Sequence, residues 1–250
     1  MTKPDLNFPS SLLSALREAR HVVALTGAGI SAESGVPTFR DAQTGLWARF
    51  KPEELATPEA FRRNPRLVWE WYEWRRQLVG GVQPNPGHLA LAQMERRVPD
   101  FVLITQNVDG LHQRAGSRRV IELHGNLTRT KCFEENVALD RVSATKEVPP
   151  RCPRCGGHAR PDVVWFGEAF PPGAFEAALA ASLACEVFFS IGTSSVVYPA
   201  ADLPCAALRN RAVLVEINPA PTPLTPDATH IFQQAAGIVL PALVQAAWPK

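Results

Sequence analysis

The sequence predicts an α/β protein in which a Rossmann-like parallel sheet domain carries a smaller inserted domain. Three observations support this fold class. Short, continuous apolar runs indicate strands buried on both faces, helical patterns lie between several of these runs, and two stretches interrupt the alternation. With 250 residues, of which 46% are apolar, the chain is long enough and apolar enough to bury a large core.

The predicted elements begin with an amphipathic helix within the first twenty residues, where Leu12, Leu13, Leu16 and Ala19 recur at helical spacing. Strands are expected at 21–25, 101–105, 120–123, 187–191, 212–217 and 238–240. The clearest helices between them are expected at 88–97 and 173–183. Continuous apolar strands that alternate with helices favour a parallel sheet covered on both faces.

Two stretches do not follow this alternation. Residues 46–87 are rich in Arg, Glu and Trp, and Asn64-Pro65 is typical of a helix start, so this stretch predicts an inserted helical module. Residues 126–162 contain three of the five cysteines and little apolar periodicity, which predicts a second insertion that needs more than an apolar core to hold it. The Rossmann-like part is then expected at about 1–45, 88–125 and 163–250.

Charge and cysteine content exclude several classes of protein. Lys and Arg total 26 and Asp and Glu total 24, a net charge of +2 that gives no support for a nucleic-acid binder with a broad basic face. No uncharged apolar stretch is long enough for a transmembrane helix, and the first twenty residues lack the features of a signal peptide. We therefore expect a cytoplasmic protein, in which clustered cysteines bind a metal rather than form disulfides.

A glycine-rich turn follows the first predicted strand in the segment Thr26-Gly27-Ala28-Gly29-Ile30-Ser31. Such a turn lets the backbone approach a pyrophosphate, with the N–H groups of the next helix facing the anion. Arg40, soon after it, could neutralise a phosphate. Gly-x-Gly also occurs in ordinary tight turns, and the sequence has no G-x-x-x-x-G-K-[ST] loop of the kind that supports ATP hydrolysis.

Polar residues also follow the strands at 101–105 and 120–123. Asn107 and Asp109 offer an amide and a carboxylate that suit a carboxamide and sugar hydroxyls, although such residues often cap a helix. His124 lies at a strand end before a glycine, where a neutral imidazole could accept a proton from a sugar hydroxyl. Ligands bind at the carboxyl ends of strands in open α/β sheets, so these residues are candidate site residues.

Several motifs together resemble those of the sirtuin family. The segments 27–31, 35–40, 106–109, 124–125 and 192–194 and then Asn218 occur in the sirtuin order, and the resemblance extends from about residue 21 to 240. It implies an NAD-dependent protein-lysine deacylase that acts on acylated lysine side chains of proteins or peptides. Its products would be nicotinamide, free lysine and 2′-O-acyl-ADP-ribose, so NAD would be consumed without hydride transfer.

The resemblance also implies roles for individual residues. His124 would be the base, Asn107 and Asp109 would hold the nicotinamide carboxamide, and Gln106 would contact the ribose. The NAD-binding residues implied are Gly27, Ala28, Gly29, Ile30, Ser31, Phe39, Arg40, Gln106, Asn107, Val108, Asp109, Gly192, Thr193, Ser194, Asn218, Pro219, Ala220 and Ala236.

The expected substrate residues lie in two segments. By resemblance, the extended run with Val164, Trp165, Phe166 and Gly167 would pair its backbone with the substrate peptide. Tyr72 and Arg75 lie three residues apart on a predicted helix, so they share one face, where a phenol and a guanidinium could bind a carboxylate.

The spacing of Tyr72 and Arg75 matches the Tyr-x-x-Arg motif of class III sirtuins, which remove succinyl, malonyl or glutaryl groups. Ala56 matches the position at which that class keeps a small residue. The alternative is an ordinary solvated helix face with an arginine. We expect removal of succinyl and malonyl groups and also of acetyl groups, with desuccinylation over deacetylation.

The second insertion resembles a degenerate zinc ribbon. Sirtuins of this type usually bind zinc with two Cys-x-x-Cys pairs, and Cys152 and Cys155 form one such pair here. In the other pair Cys132 is present, but Glu135 stands where the fourth cysteine is expected. Either Glu135 or His158 could be the fourth ligand, or the ribbon folds without metal. Cys185 and Cys205 are expected to be buried free thiols.

Three other functions remain open on the sequence. The chain could be a general deacetylase in which Tyr72 and Arg75 have no role, a mono-ADP-ribosyl transferase with much the same site, or a non-catalytic NAD-binding or sensing module. The base His124 argues against a sensor, because binding alone needs no base. No partner among nucleic acids or membranes is expected.

Overall fold

A computed structural model describes residues 6–37, 51–142 and 147–249 of the chain. Its largest sheet has six strands, all parallel, in the order β3-β2-β1-β6-β7-β8. The bounds of these strands are β1 His21–Thr26, β2 Asp100–Thr105, β3 Val120–Glu122, β6 Val187–Ile191, β7 Val213–Ile217 and β8 His230–Phe232. This is the predicted Rossmann-like α/β architecture.

Helices cover both faces of the parallel sheet. They are α1 Ser10–Glu18, α2 Ala28–Ala32, α5 Pro86–Glu95, α6 Leu111–Arg114, α7 Ala174–Ala184, α8 Leu203–Arg209 and α9 Ala236–Ala247. Along β1, Val22 and Ala24 join a core with α1, α5 and α9, while Val23 and Leu25 join a second core with α7 and α8. Alternate side chains of a strand point to opposite faces, so an almost wholly apolar strand serves two cores.

The smaller part of the structure has its own helices and a two-stranded sheet. The elements are α3 Pro58–Arg63, α4 Pro65–Gly81, β4 Gly125–Cys132 and β5 Ala159–Val163, the last two antiparallel. As predicted, α4 starts at Asn64-Pro65, and the Asn64 side chain accepts a hydrogen bond from the Leu67 N–H at 3.1 Å. A third core joins these elements around Phe61, Trp71 and Trp165. The insertion boundaries at 46–87 and 126–162 stay a prediction.

One predicted strand is wrong. Residues 238–240 lie inside α9, where Ala236, Val239, Leu240, Leu243 and Val244 are buried at helical spacing. A short apolar run suits either a buried strand or a buried helix, and here the longer periodic pattern decides. The last strand is instead β8, which the sequence reasoning missed because His230, Ile231 and Phe232 do not form a continuous apolar run.

No helix in the described part of the chain has both the length and the apolar character needed to cross a membrane.

Candidate active site

A cavity of about 460 Å³ lies where the carboxyl ends of β1 and β2 face the smaller part of the structure. We call it the central cavity. It brings together predicted site residues from distant segments: Ala28, Ser31, Ala56, Tyr72, Arg75, Gln106, Asn107, Val108, Asp109, His124, Val164, Trp165, Phe166 and Gly167. The predicted base, carboxamide-binding residues and acyl-binding residues therefore share one cavity.

The glycine-rich turn connects β1 to α2, and its glycines are needed for close packing. A β-carbon on Gly29 would lie 2.7 Å from the Gly192 Cα, and one on Gly27 would lie 2.7 Å from the Gly192 O. Gly192 itself has a φ of +57°, which disfavours other residues. The turns after β1 and β6 thus fit against each other only because neither carries side chains at these points.

Ser31, Asn107 and Asp109 form a hydrogen-bonded group at the wall of the cavity. The Ser31 hydroxyl donates to Asp109 Oδ2 at 2.8 Å, and Asn107 Nδ2 donates to Ser31 Oγ at 3.1 Å and to the Gly27 O at 3.0 Å. Burial raises the pKa of Asp109, against the hydrogen bonds from Leu111 and Ser31. Asp109 Oδ1 also accepts a hydrogen bond from the Leu111 N–H at the start of α6, at 2.9 Å.

His124 follows β3, and its ring is oriented by the backbone. Nδ1 lies 2.9 Å from the Gln106 carbonyl oxygen, which can only accept, so Nδ1 carries the proton and Nε2 keeps its lone pair. Burial lowers the pKa of His124, although the hydrogen bond to Gln106 opposes this. The imidazole is therefore neutral near pH 7 and has a basic nitrogen available, as general-base catalysis requires.

The other predicted NAD-binding residues that the structure describes do not line the cavity. Thr193, after β6, accepts a hydrogen bond from Gln106 Nε2 at 3.1 Å, and Asn218, after β7, donates to the Ala220 O at 2.8 Å. These two turns are at the same edge of the sheet as the glycine-rich turn. The remaining members of this group are Gly27, Gly29, Ile30, Gly192, Ser194, Pro219 and Ala236. Phe39 and Arg40 lie outside the described residues.

Tyr72 and Arg75 both line the central cavity, as their spacing on α4 predicts. The Tyr72 side chain is 3% exposed, and its hydroxyl accepts a hydrogen bond from Trp165 Nε1 at 3.0 Å. Burial raises the pKa of Tyr72 to about 12, against the charge of Arg75, so the phenol stays protonated. Arg75 stacks over the Trp71 ring at 5.1 Å, and burial lowers its pKa without removing its charge.

Arg76, next to Arg75, has a different environment. Its guanidinium donates to the Leu127 O at 2.6 Å and to the Arg129 O at 2.9 Å, and it also lies over the Trp69 ring. Arg76 therefore ties α4 to β4, while Arg75 faces the cavity. The sequence alone does not distinguish these two neighbouring arginines.

The segment after β5 forms another wall of the cavity. The Val164 N–H donates to the His124 O at 2.9 Å, and the Phe166 N–H donates to the Ala56 O at 3.0 Å. Within the described parts of the chain, no donor reaches the Val164 O, and the backbone groups of Gly167 make no hydrogen bond. These groups can pair with an extended peptide.

Sequence reasoning missed two features of the site. Val197 and Tyr198 line the cavity mouth, and Tyr198 is 70% exposed. Arg160 is buried behind Trp165 and pairs with Glu168, with Nη1 to Oε1 at 2.5 Å. Nothing in the sequence marks Arg160, because its partners come together only when β5 and the following turn fold.

The cysteine cluster is at the end of the β4–β5 sheet. The ligand atoms of Cys132, Glu135, Cys152 and Cys155 all lie within 4.8 Å of one another, and the Sγ atoms of Cys132 and Cys155 are 3.4 Å apart. Tetrahedral zinc with Zn–S bonds of about 2.3 Å needs sulfur atoms about 3.8 Å apart. The four residues thus fit a zinc ion. His158 is not in this cluster, and its ring packs edge-on against Phe61.

The two remaining cysteines differ from each other. Cys185 is buried, as predicted, and burial raises the pKa of its thiol to about 12. Cys205 is exposed, so the prediction that it is buried is wrong. It lies on α8, whose buried residues are Leu203, Pro204, Ala206 and Ala207, and position 205 falls on the solvent side of that helix.

Comparison with known proteins identifies the family. The Sir2 family model matches residues 27–199. The NAD-dependent protein deacylase of Aquifex aeolicus (strain VF5) is 56% identical over 220 residues, which is 88% of this chain and 92% of that protein. The NAD-dependent protein deacylase 1 of Pseudomonas aeruginosa is 49% identical over 247 residues, 96% and 99% of the two chains.

Solved structures agree with this result. A Sir2 homologue–NAD complex has a TM-score of 0.89 at 47% identity and covers 96% of this chain and 94% of that chain. A Sir2 complex with a p53 peptide and NAD+ has a TM-score of 0.83 at 32% identity, with 94% and 97% covered. The chain belongs to the Sir2 family.

Proposed function

We propose that this protein is an NAD-dependent protein-lysine deacylase that prefers acidic acyl groups such as succinyl and malonyl. The observation that supports it most is that Tyr72 and Arg75 line the same cavity as His124, Asn107 and Asp109. A site for an acyl carboxylate then lies in the cavity that holds the candidate base. The curated relatives are named as deacylases, without an acyl preference.

The residues around the cavity fit NAD as the second substrate. The turns after β1 and β6 pack side by side without side chains at their glycines, so a pyrophosphate can approach their backbone closely. Asn107 and Asp109 offer hydrogen-bond partners for a carboxamide. NAD supplies the ribose carbon that receives the acyl oxygen, and nicotinamide is its leaving group. Asn107 and Asp109 would hold the carboxamide, and Gln106, whose amide donates to Thr193 Oγ1, would contact the ribose.

His124 acts as the general base. Its Nδ1–H is held by the Gln106 carbonyl, so Nε2 can accept a proton from a ribose hydroxyl in the cavity. Because the imidazole is neutral at pH 7, no proton has to leave it first. The Phe170 ring, with its centroid 5.4 Å from that of His124, helps to keep water from this face of the base.

Tyr72 and Arg75 bind the far end of the acyl chain. A succinyl or malonyl group ends in a carboxylate, which accepts hydrogen bonds from a phenol and a guanidinium. Ala56, also in the cavity wall, occupies little space beside this pair. An acetyl group has no such carboxylate, so it gains nothing from either residue.

The substrate peptide pairs with the segment from Val164 to Gly167. Among the described residues no donor reaches the Val164 O and the Gly167 backbone makes no hydrogen bond, so both can bond an extended chain, and such pairing does not depend on the side chains of the peptide. Acylated lysines in many sequence contexts are therefore expected substrates.

Replacement of Arg75 by methionine tests the acyl preference. Arg75→Met removes the charge at similar side-chain length, so kcat/KM for a succinyl-lysine peptide should fall about 100-fold, as expected for one lost charged hydrogen-bonded contact of about 3 kcal/mol. Activity on the matched acetyl-lysine peptide should persist, and nicotinamide and acyl-ADP-ribose should be identified by mass.

The matched control is Arg66→Met, which removes an exposed arginine of the same helix that pairs with Glu70. It should leave both activities unchanged. Retained desuccinylation in Arg75→Met would reduce the function to general deacetylation. No nicotinamide release by the wild type with either peptide would favour a sensing module, and label transfer from NAD onto protein would favour ADP-ribosyl transfer.

We propose that zinc is bound by Cys132, Cys152, Cys155 and Glu135. This choice of fourth ligand rests on the Glu135 carboxylate being within the thiol cluster, with Oε2 4.0 Å from Cys152 Sγ, while His158 is outside it. The ion would hold the second insertion together. A cytoplasmic location, with reduced thiols, is consistent with this site.

A further inference from the structure

The hydroxyl of Tyr72 has an unusual set of partners. A phenol can donate one hydrogen bond and accept others, whereas an indole N–H can only donate. The 3.0 Å contact with Trp165 Nε1 therefore makes the Tyr72 oxygen the acceptor. In residues 6–37, 51–142 and 147–249, no atom accepts the Tyr72 hydroxyl proton. That proton is available to an acceptor within the cavity.

Trp165 is itself fixed by three kinds of contact. Its backbone N–H donates to Glu168 Oε2 at 2.8 Å. The Arg160 guanidinium stacks on its ring, with Cζ 3.3 Å from the centroid, and Phe61 packs on the ring at 5.3 Å. The indole is 2% exposed, so it cannot turn away from Tyr72 without disturbing the surrounding core.

Arg160 is held just as firmly. Its two terminal nitrogens donate to the two oxygens of Glu168 at 2.5 and 2.9 Å, and Nη2 also donates to the Val163 O at 2.7 Å. A forked ion pair of this kind restricts both partners to one geometry. Glu168, Arg160, Trp165 and Tyr72 therefore form a continuous series of contacts that ends at the cavity.

We propose that Trp165 is a positioning residue for acyl specificity: its indole N–H makes Tyr72 present its proton, and not its lone pairs, to the carboxylate of an acidic acyl group. This inference rests on the proposed function and deepens it. A lone pair facing the carboxylate would repel it, whereas the proton attracts it. A neutral phenol therefore favours an anion only when its O–H bond points towards that anion.

The prediction concerns a ratio of activities. Trp165 also lies in the segment proposed to pair with the peptide, so its replacement can reduce both reactions. An acetyl group makes no use of the Tyr72 proton. We therefore compare kcat/KM for succinyl-lysine with kcat/KM for acetyl-lysine on the same peptide, because a loss that affects both reactions equally cancels in this ratio. Trp165→Phe keeps an aromatic ring but removes the N–H, and the ratio should fall about tenfold, mainly through KM of the succinyl peptide.

A double-mutant cycle makes the test specific. In a Tyr72→Phe background there is no hydroxyl to orient, so adding Trp165→Phe should change the ratio by less than about twofold. If Trp165→Phe does not fold, as judged by circular dichroism, 3-benzothienylalanine at position 165 replaces the N–H by sulfur at nearly the same shape and serves instead.

The outcomes separate the two proposals. A wild type that prefers acetyl-lysine overturns the proposed function, and this inference with it. A wild type that prefers succinyl-lysine, with a ratio unchanged by Trp165→Phe, leaves the proposed function standing and overturns the inference. An equal further drop in the Tyr72→Phe background also overturns it, because Trp165 would then act independently of the phenol.

Discussion

Among single residues, His124 gives the clearest prediction, because the direction of its pKa shift is known. The base must be neutral to accept a proton, and burial lowers its pKa below the ordinary value of 6.5 while the Gln106 carbonyl opposes the shift. Activity should therefore be lost as pH falls through this lowered pKa, and not between pH 6.5 and 8. The acid limb of the kcat/KM profile with the preferred peptide should lie below pH 6.5.

Two controls accompany this pH profile. Circular dichroism at each pH separates titration of His124 from acid unfolding, and His124→Ala should have little activity at any pH. An acid limb centred above pH 6.5 would show that His124 is not the titrating base.

Among individual residues, the sequence was most informative where motifs carry fixed spacing. Tyr72 and Arg75 are predictable because three residues along a helix bring two side chains to one face. The different surroundings of Arg75 and Arg76 are not predictable, because they depend on carbonyl groups of β4, some 50 residues away. Trp165 and Arg160 are hidden in the same way, since their contacts exist only in the folded chain.

At the level of elements, the thiol cluster lies at one end of the β4–β5 sheet. Cys132 is the last residue of β4, and Cys152 and Cys155 precede β5, so four ligands around one ion would join the two strands at this end of the sheet. Glu135 also lies 3.4 Å from Arg154 Nε, which orients the carboxylate from outside the cluster.

Substitution of Glu135 tests whether it is a ligand. Glu135→Ala should release zinc to a chromophoric chelator at least about tenfold faster than the wild type, because three ligands hold the ion less well than four. Glu135→Cys should slow the release, since thiolate binds zinc more tightly than carboxylate. Release rates and metal content per chain are both measured on the purified protein.

Glu134→Ala is the matched control, because Glu134 is exposed and outside the cluster. It should release zinc at the wild-type rate. Zinc content near zero in the wild type, or equal release rates for Glu135→Ala and the wild type, would contradict the proposed ligand set.

Some element boundaries can be predicted from the pattern of apolar residues in the sequence, and others cannot. Strands β1, β2, β3, β6 and β7 are predicted to within a residue because each follows a continuous, largely apolar run in the sequence. Residues 238–240 were assigned to a strand because three apolar residues fit both kinds of element, and only the full span of α9 shows the helical period. Edge strand β8 was missed because His230 and the exposed Ile231 leave it without a continuous apolar run.

For the molecule as a whole, most of the predicted dinucleotide residues follow four neighbouring strands: β1, β2, β6 and β7. A ligand bound there contacts the centre of the sheet, so it should stabilise the sheet as one unit. At a concentration 100 times Kd, ADP-ribose should add about 2.7 kcal/mol to the free energy of unfolding, and thus raise Tm by roughly 5–10 °C.

Thermal melts at increasing ADP-ribose concentration check this prediction. Ribose 5-phosphate at the same concentrations is the control, and it should shift Tm little because it offers only part of the ligand. An unchanged Tm at millimolar ADP-ribose would argue against the whole dinucleotide site, independently of any acyl preference.

Helix α4 lies outside the parallel sheet, and this separation affects which properties of the protein a substitution in α4 can alter. On the proposed assignments, one helix selects the acyl group, whereas the turns at the sheet edge hold the dinucleotide. Substitutions in α4 can therefore give the enzyme a new acyl preference while its affinity for NAD stays intact. Related chains can diverge in the modification they erase and still share one cofactor-binding half, and an engineer can exploit the same modularity.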